Sequence, residues 1–159
     1  MITPVLTKNL ELVPRTRDEV RAFIDHMPPE IRKEVSPTWL AMLESSGEID
    51  SWIHGFTLVH KNSGTAVGSC GFKGPPDEPG MVEIAYAIDP EHQGKGYATE
   101  AAAALVSYAL GSDQVHLVRA HTLPVHNAST RVLTKCGFQR VGEAIDPDDG
   151  LVWRWEYRS

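Results

Sequence analysis

Residues Gln93-Gly94-Lys95-Gly96-Tyr97-Ala98 are the part of this chain best equipped for chemistry. The apolar run Met81–Ile88 precedes them, and an alanine-rich run over 99–110 follows. A strand, a glycine turn and a helix start, in that order, make an anion site. The first backbone N–H groups of a helix have no intrahelical partner, and the helix dipole favours negative charge beside them. Gly94 and Gly96 remove the Cβ atoms that would hold a phosphate away from the backbone. Lys95 adds a point charge. The segment reads as a cradle for a phosphate or pyrophosphate.

The type of ligand follows from what the loop lacks. Position 99, where a dinucleotide-binding G-x-G-x-x-G needs its third glycine, is Thr99, and no G-x-x-x-x-G-K-[ST] occurs. The spacing Gln93-x-x-Gly96-x-Ala98 instead resembles the Q/R-x-x-G-x-G/A signature of the GNAT family of N-acetyltransferases. A second block, from His126 through Asn127, Ser129, Arg131 and Lys135 to Gly137-Phe138, is similar to that family's asparagine-led helix ending in Gly-Phe. Its serine falls two residues after Asn127. The two blocks lie in the family's order, and the likeness to its ribosomal-protein-acetylating branch covers most of the chain.

The resemblance implies a mechanism and assigns residues to it. Acetyl-CoA is the expected cosubstrate, and a primary amine is the acceptor. The pantetheine arm is expected to pair like an extra strand with Tyr86, Ala87 and Ile88, where the sheet splays. A backbone N–H near Ala87 would polarise the thioester carbonyl as charge develops on it. The pyrophosphate would rest on the amides of Gln93, Gly94, Lys95, Gly96, Tyr97 and Ala98. Asn127 matches the family asparagine that hydrogen-bonds pantetheine, and it also reads as a helix cap. Arg131 or Lys135 would meet the nucleotide phosphate.

Glu83 is the expected general base, because a carboxylate inside the run Val82, Ile84 and Ala85 either faces solvent or serves a site. His121, on the following strand, is the second candidate, since imidazole is the group suited to proton transfer near neutrality. Many relatives carry a tyrosine seven residues after the asparagine, where this chain has Thr134. The proton for the thiolate must then come from Ser129, Tyr97, Tyr86 or water. That departure keeps open a second reading, a catalytically silent CoA-binding sensor or interaction module. A third is a nucleotide-binding domain built on the same loop.

The positioning elements follow from periodicity. Residues 10–14 read as a strand. Thr16 caps a helix to His26 that packs Val20, Phe23 and Ile24, and Pro37-Thr38 opens another to Ser45. Runs over 51–61 and 65–72 read as a hairpin across Asn62-Ser63-Gly64, with Met81–Ile88 as its third strand. A helix over 99–110 ends at Gly111. A strand over 115–122, a helix over 127–135, and strands over 138–143 and 151–157 joined by the acidic turn 146–150 complete the chain. This order predicts one α/β domain with a mixed, mostly antiparallel sheet and helices on both faces.

Composition narrows the partners. A chain of 159 residues, 42% hydrophobic and 23% charged, suits a single globular core. A net charge of −6 leaves no broad basic footprint for nucleic acid or an anionic membrane. Cys70 and Cys136 do not make a disulfide framework, and no His or Cys spacing marks a metal site. No apolar run approaches the ~18 residues of a membrane helix, and Met1-Ile2-Thr3-Pro4 does not open a signal peptide. A reduced cytosol is the expected compartment. Dimerisation is an expectation carried over from the family.

Overall fold

The computed structural model describes residues 4–147 and 149–158. The expected chain start at Met1–3, and Asp148 of the acidic turn, lie outside the described residues. Among the described residues eight strands form one sheet. They are β1 (Val5–Leu6), β2 (Leu10–Pro14), β3 (Phe56–His60), β4 (Ala66–Phe72), β5 (Met81–Ile88), β6 (Leu117–Thr122), β7 (Gln139–Asp146) and β8 (Gly150–Arg158). Their order across the sheet is β1-β2-β3-β4-β5-β6-β8-β7. Among the described residues only β5 and β6 run parallel, so the sheet is mixed and mostly antiparallel as the pattern predicts.

Among the described residues six α-helices accompany it: α1 (Arg17–Asp25), α2 (Pro29–Arg32), α3 (Pro37–Ser45), α4 (Ser51–His54), α5 (Tyr97–Leu110) and α6 (Ala128–Lys135). Alternate residues of the strands, such as Leu10, Leu12, Phe56, Leu58, Val67, Val82 and Ile84, are buried against Ala101, Ala102, Leu105 and Ala109 of α5. Alanines on that helix face leave no bulk to hold it off the sheet. Leu133 of α6 and Trp155 of β8 join the same core. Val20, Ile24, Leu43 and Ile53 from α1, α3 and α4 form a separate small cluster. No helix among the described residues is long and apolar enough to cross a membrane.

Several elements differ from their sequence expectation for local reasons. Residues 51–54 are helical, not extended. The Asp50 carboxylate accepts from the Trp52 N–H at 3.1 Å, and Gly55, at φ +69°, ends the turn before β3 begins. Phe23 does not pack inside. It is 59% exposed, because the buried stripe of α1 is only Val20 and Ile24, and the Arg15 guanidinium lies over its ring at 5.9 Å. Helix α5 starts two residues early, at Tyr97. The short β1 and α2 have too few residues to show a period.

Candidate active site

Strand β5 is paired differently along its two edges. Against β4 it is zipped from Ile84 to Ile88, and β6 joins its other edge only over Met81, Val82 and Glu83. The Lys73 N–H donates to the Glu83 carbonyl, and the Asp89 N–H donates to the Val67 carbonyl, both at 2.9 Å. Antiparallel pairing alternates, so the odd-numbered residues of β5 spend their backbone groups on β4. Those of Ile84, Tyr86 and Ile88 point to the splayed edge. The Gln93 side chain takes the Ile88 carbonyl at 2.9 Å. The N–H of Ala87 therefore turns to β4, and the N–H groups on the open edge nearest to it are those of Tyr86 and Ile88.

A single 3-10 turn, Pro90–His92, leads from β5 into the glycine turn. Gly94 and Gly96 sit at φ +79° and +86°, a left-handed conformation that side chains with a Cβ avoid. A Cβ added to either would meet no protein atom within 4 Å. Backbone conformation, rather than crowding by the protein, is what requires glycine here, and the space beside the turn is open. Gly96 caps α5 with no side chain satisfying the first-turn N–H groups.

The helix is anchored from behind. Glu100 accepts from Thr7 Oγ1 at 2.6 Å, from the Asn9 backbone at 2.9 Å and from Asn9 Nδ2 at 2.8 Å. Burial pushes the Glu100 carboxyl up, but these hydrogen bonds and nearby Lys8 outweigh it and hold its pKa below the ordinary value.

Between this turn and the start of α6 lies a cleft of about 480 Å³. Of the sequence-chosen residues, Tyr86, Ala87, Ile88, Gln93, Gly94, Gly96, Tyr97, Ala98, Ser129 and Arg131 line it; Lys95 and Asn127 do not. Lys135 and His92 also line it. Asn127 Oδ1 accepts from the Thr130 N–H at 3.1 Å, and Thr130 Oγ1 accepts from the Asn127 N–H at 2.9 Å, so the asparagine closes a capping box. Thr134 Oγ1 donates back to the Thr130 carbonyl at 2.8 Å.

The phenol in this cleft comes from β5 instead of α6. The Tyr86 side chain shares this cleft with Ser129. Burial, reinforced by nearby Cys136 and opposed by Ser129, pushes its pKa up to about 12, so the hydroxyl keeps its proton. The Cys70 thiol is pushed up to about 12 by burial, against the pull of Arg15, and Cys136 is raised by burial against a backbone hydrogen bond from Ala103. Trp52 packs on Phe72 at 4.7 Å, so core packing accounts for it.

Glu83 and His121, the two expected bases, touch each other. Glu83 Oε2 lies 2.9 Å from Lys73 Nζ and 3.0 Å from His121 Nδ1. Arg154 Nε donates to His121 Nε2 at 3.2 Å. Both the glutamate and the histidine side chain are less than one-fifth exposed. Beside them Arg119 binds Glu156 at 2.9 Å. Lys73 and Arg154 escape a reading of the sequence because register, not spacing, delivers them. Lys73 faces Glu83 across the β4–β5 ladder, and Arg154 faces His121 across β6–β8. Among the described residues no group of three or more His, Cys, Asp or Glu side chains is arranged to hold a metal ion.

The chain is similar to known proteins in sequence and in fold. The acetyltransferase (GNAT) domain family matches residues 4–139. The chain is 40% identical to the uncharacterized N-acetyltransferase YjdG of Bacillus subtilis over 89 residues, 56% of this chain and 51% of that protein. The match thus spans about half the length of that curated relative. A GNAT-family acetyltransferase from Bacillus anthracis shares the fold at a TM-score of 0.69 and 17% identity, over 98% of both chains. The ribosomal L7/L12 alpha-N-protein acetyltransferase RimL, solved with coenzyme A, does so at 0.70 and 17% identity, over 99% of this chain and 98% of its own.

Proposed function

The chain belongs to the acetyltransferase (GNAT) family, and from that premise we propose that it transfers the acetyl group of acetyl-CoA to a primary amine by direct attack on the thioester. The observation that carries this reading is the half-open β5. Its free backbone edge runs straight into a glycine turn, a helix N-terminus and a cleft lined in part by Arg131 and Lys135. A long ligand with amide groups in its arm and phosphates at its end has the matching chemistry. Acetyl-CoA, when bound, supplies the acetyl group in activated form.

The residues divide the remaining work. Glu83 takes the proton that the amine loses as its nitrogen bonds to the acetyl carbon. The N–H groups of Tyr86 and Ile88 are the donors nearest to where the carbonyl oxygen gains charge. The hydroxyls of Tyr86 and Ser129 supply a proton to the departing sulfur, in place of the tyrosine that Thr134 replaces. A thiol loses its proton only around pH 8.5, so this last help is modest.

The acceptor is a protein N-terminus or a small-molecule amine. The first is favoured by the structural likeness to RimL, which acts on a ribosomal protein's N-terminus. Thiol release from acetyl-CoA is the test, over a panel of peptides with free N-termini, polyamines, amino acids and aminoglycosides. Amine-dependent release is expected. Bound acetyl-CoA with no release for any amine would support the silent CoA-binding module instead.

A further inference from the structure

The contacts around Glu83 carry an inference that rests on the acetyl-transfer reading and sharpens its proton step. We infer that His121 and Arg154 are positioning residues: Arg154 fixes the tautomer of His121, and His121 in turn holds and aims the Glu83 carboxylate.

The argument is one of donors and acceptors. Arginine has only N–H donors and no acceptor. Arg154 Nε at 3.2 Å therefore requires His121 Nε2 to be a bare acceptor. The ring proton of a neutral imidazole then sits on Nδ1, where it points at Glu83 Oε2, 3.0 Å away. Both ring nitrogens are committed, so His121 has no free site to take a proton from an amine.

Lys73 Nζ shares the same carboxylate oxygen at 2.9 Å. Both partners thus grip Oε2, and Oε1 has no protein partner among the described residues. A carboxylate gripped by one oxygen presents the other in a fixed direction. The strands enforce this geometry. His121 and Arg154 are direct partners in the β6–β8 ladder, and Glu83 stands where β5 leaves β6. The ion pair Arg119–Glu156 occupies the neighbouring rung, in line with Glu83. The clamp sits at the last rung before the splay, so the free oxygen is held beside the open edge rather than along a flexible loop.

Substitutions at one position separate a positioning histidine from a proton carrier. Asparagine places its Nδ2 donor where Nδ1–H stands but cannot take up a proton. His121→Asn is expected to keep kcat within about threefold of the wild type, since it restores the one hydrogen bond that matters. His121→Ala is expected to lose about 10- to 100-fold, the scale known for removing a group that orients a metal ligand. Melting temperature and acetyl-CoA affinity, measured on both variants, show that neither has unfolded.

The second measurement needs no turnover. Imidazole 15N shifts, with His121 assigned by its loss in His121→Asn, should show Nδ1 protonated and Nε2 bare, and Arg154→Met should abolish that preference. An His121→Asn enzyme as impaired as His121→Ala, or a wild-type ring protonated on Nε2, would overturn the inference. A wild type that releases no thiol with any amine would instead overturn the acetyl-transfer reading, and the 15N shifts would still decide the clamp.

Discussion

Strand β5 offers different chemistry on its open edge and on its odd-numbered face. Along the edge, Tyr86 and Ile88 present backbone groups to a cleft that the glycine turn and α6 complete. On the odd-numbered face, Glu83 presents a side chain gripped by Lys73 and His121. The first surface recognises a ligand by its amides and phosphates, and any residue with the right backbone conformation could supply it. The second depends on four side chains, from the end of β4 and from β5, β6 and β8. In the proposed reaction the edge binds the acetyl donor and the face moves the acceptor's proton, so variants should separate affinity from turnover.

The largest separation is expected at Glu83. Glu83→Gln keeps an acceptor oxygen for Lys73 and His121 but cannot carry a proton. Loss of a general base costs about 10²- to 10⁴-fold in rate. Steady-state kinetics should show kcat falling by that order, with acetyl-CoA affinity from calorimetry unchanged. Equal loss of both would mean that the face and the edge are not independent.

Gly96→Val attacks the other side of the comparison. Its φ of +86° costs a residue with a Cβ about 1–2 kcal/mol. Relaxing out of that conformation re-aims the first amides of α5. One lost hydrogen bond to a charged group is worth about 1.5–3 kcal/mol, or roughly tenfold or more in acetyl-CoA dissociation constant. At saturating acetyl-CoA kcat should stay near the wild type, the reverse of Glu83→Gln.

The two surfaces were also unequally legible in the sequence. The edge is local: a strand, two glycines and a helix start lie within thirty residues of one another, and β5 has the bounds its apolar run announces. Asn127 was readable as a cap for the same reason. The clamp is not local. Glu83 and His121 stood out singly as polar residues in strands, but their contact needs the parallel β5–β6 pairing, and Arg154 arrives from a strand 33 residues later. No periodicity encodes register between distant strands. The sequence offers Tyr86 both for its backbone and as one of several proton sources, and that its side chain meets Ser129 emerges only when α6 docks beside β5. Phe23 fits the apolar stripe of α1 by spacing and is exposed because that stripe is one residue narrower than the pattern.

Tyr86→Phe sharpens the comparison within the edge, because it removes a side-chain contribution and leaves the backbone intact. A hydrogen bond of this kind contributes about 0.5–1.5 kcal/mol, or two- to tenfold in rate. Thiol release should slow by that factor with unchanged affinity, and Ser129→Ala should add little on top. Linkage gives an independent check. The folded-state pKa of Tyr86 is about 12, above its ordinary value of 10, so its contribution to stability is complete below pH 10 and is lost as pH rises towards 12. Alkaline unfolding of Tyr86→Phe should therefore be less steep over that window.

The smallest effect is expected at Glu100, which does no chemistry but ties the helix behind the glycine turn to Thr7 and Asn9. Its folded-state pKa lies below its ordinary value, so its contribution to stability is present above the unfolded carboxylate pKa of about 4.3 and is lost as pH falls through the folded value. Glu100 is only partly buried, so solvent screens the charge and limits the gain. Glu100→Gln should lower the melting temperature at neutral pH by roughly one to four degrees, and the gap to the wild type should close as the solution is acidified. Calorimetric melts from pH 7 down to pH 3 measure this directly. A loss of turnover at neutral pH, with acetyl-CoA still bound, would mean that the anchor behind α5 also sets the geometry of the Glu83 face, and the two surfaces of β5 would then be coupled through the helix.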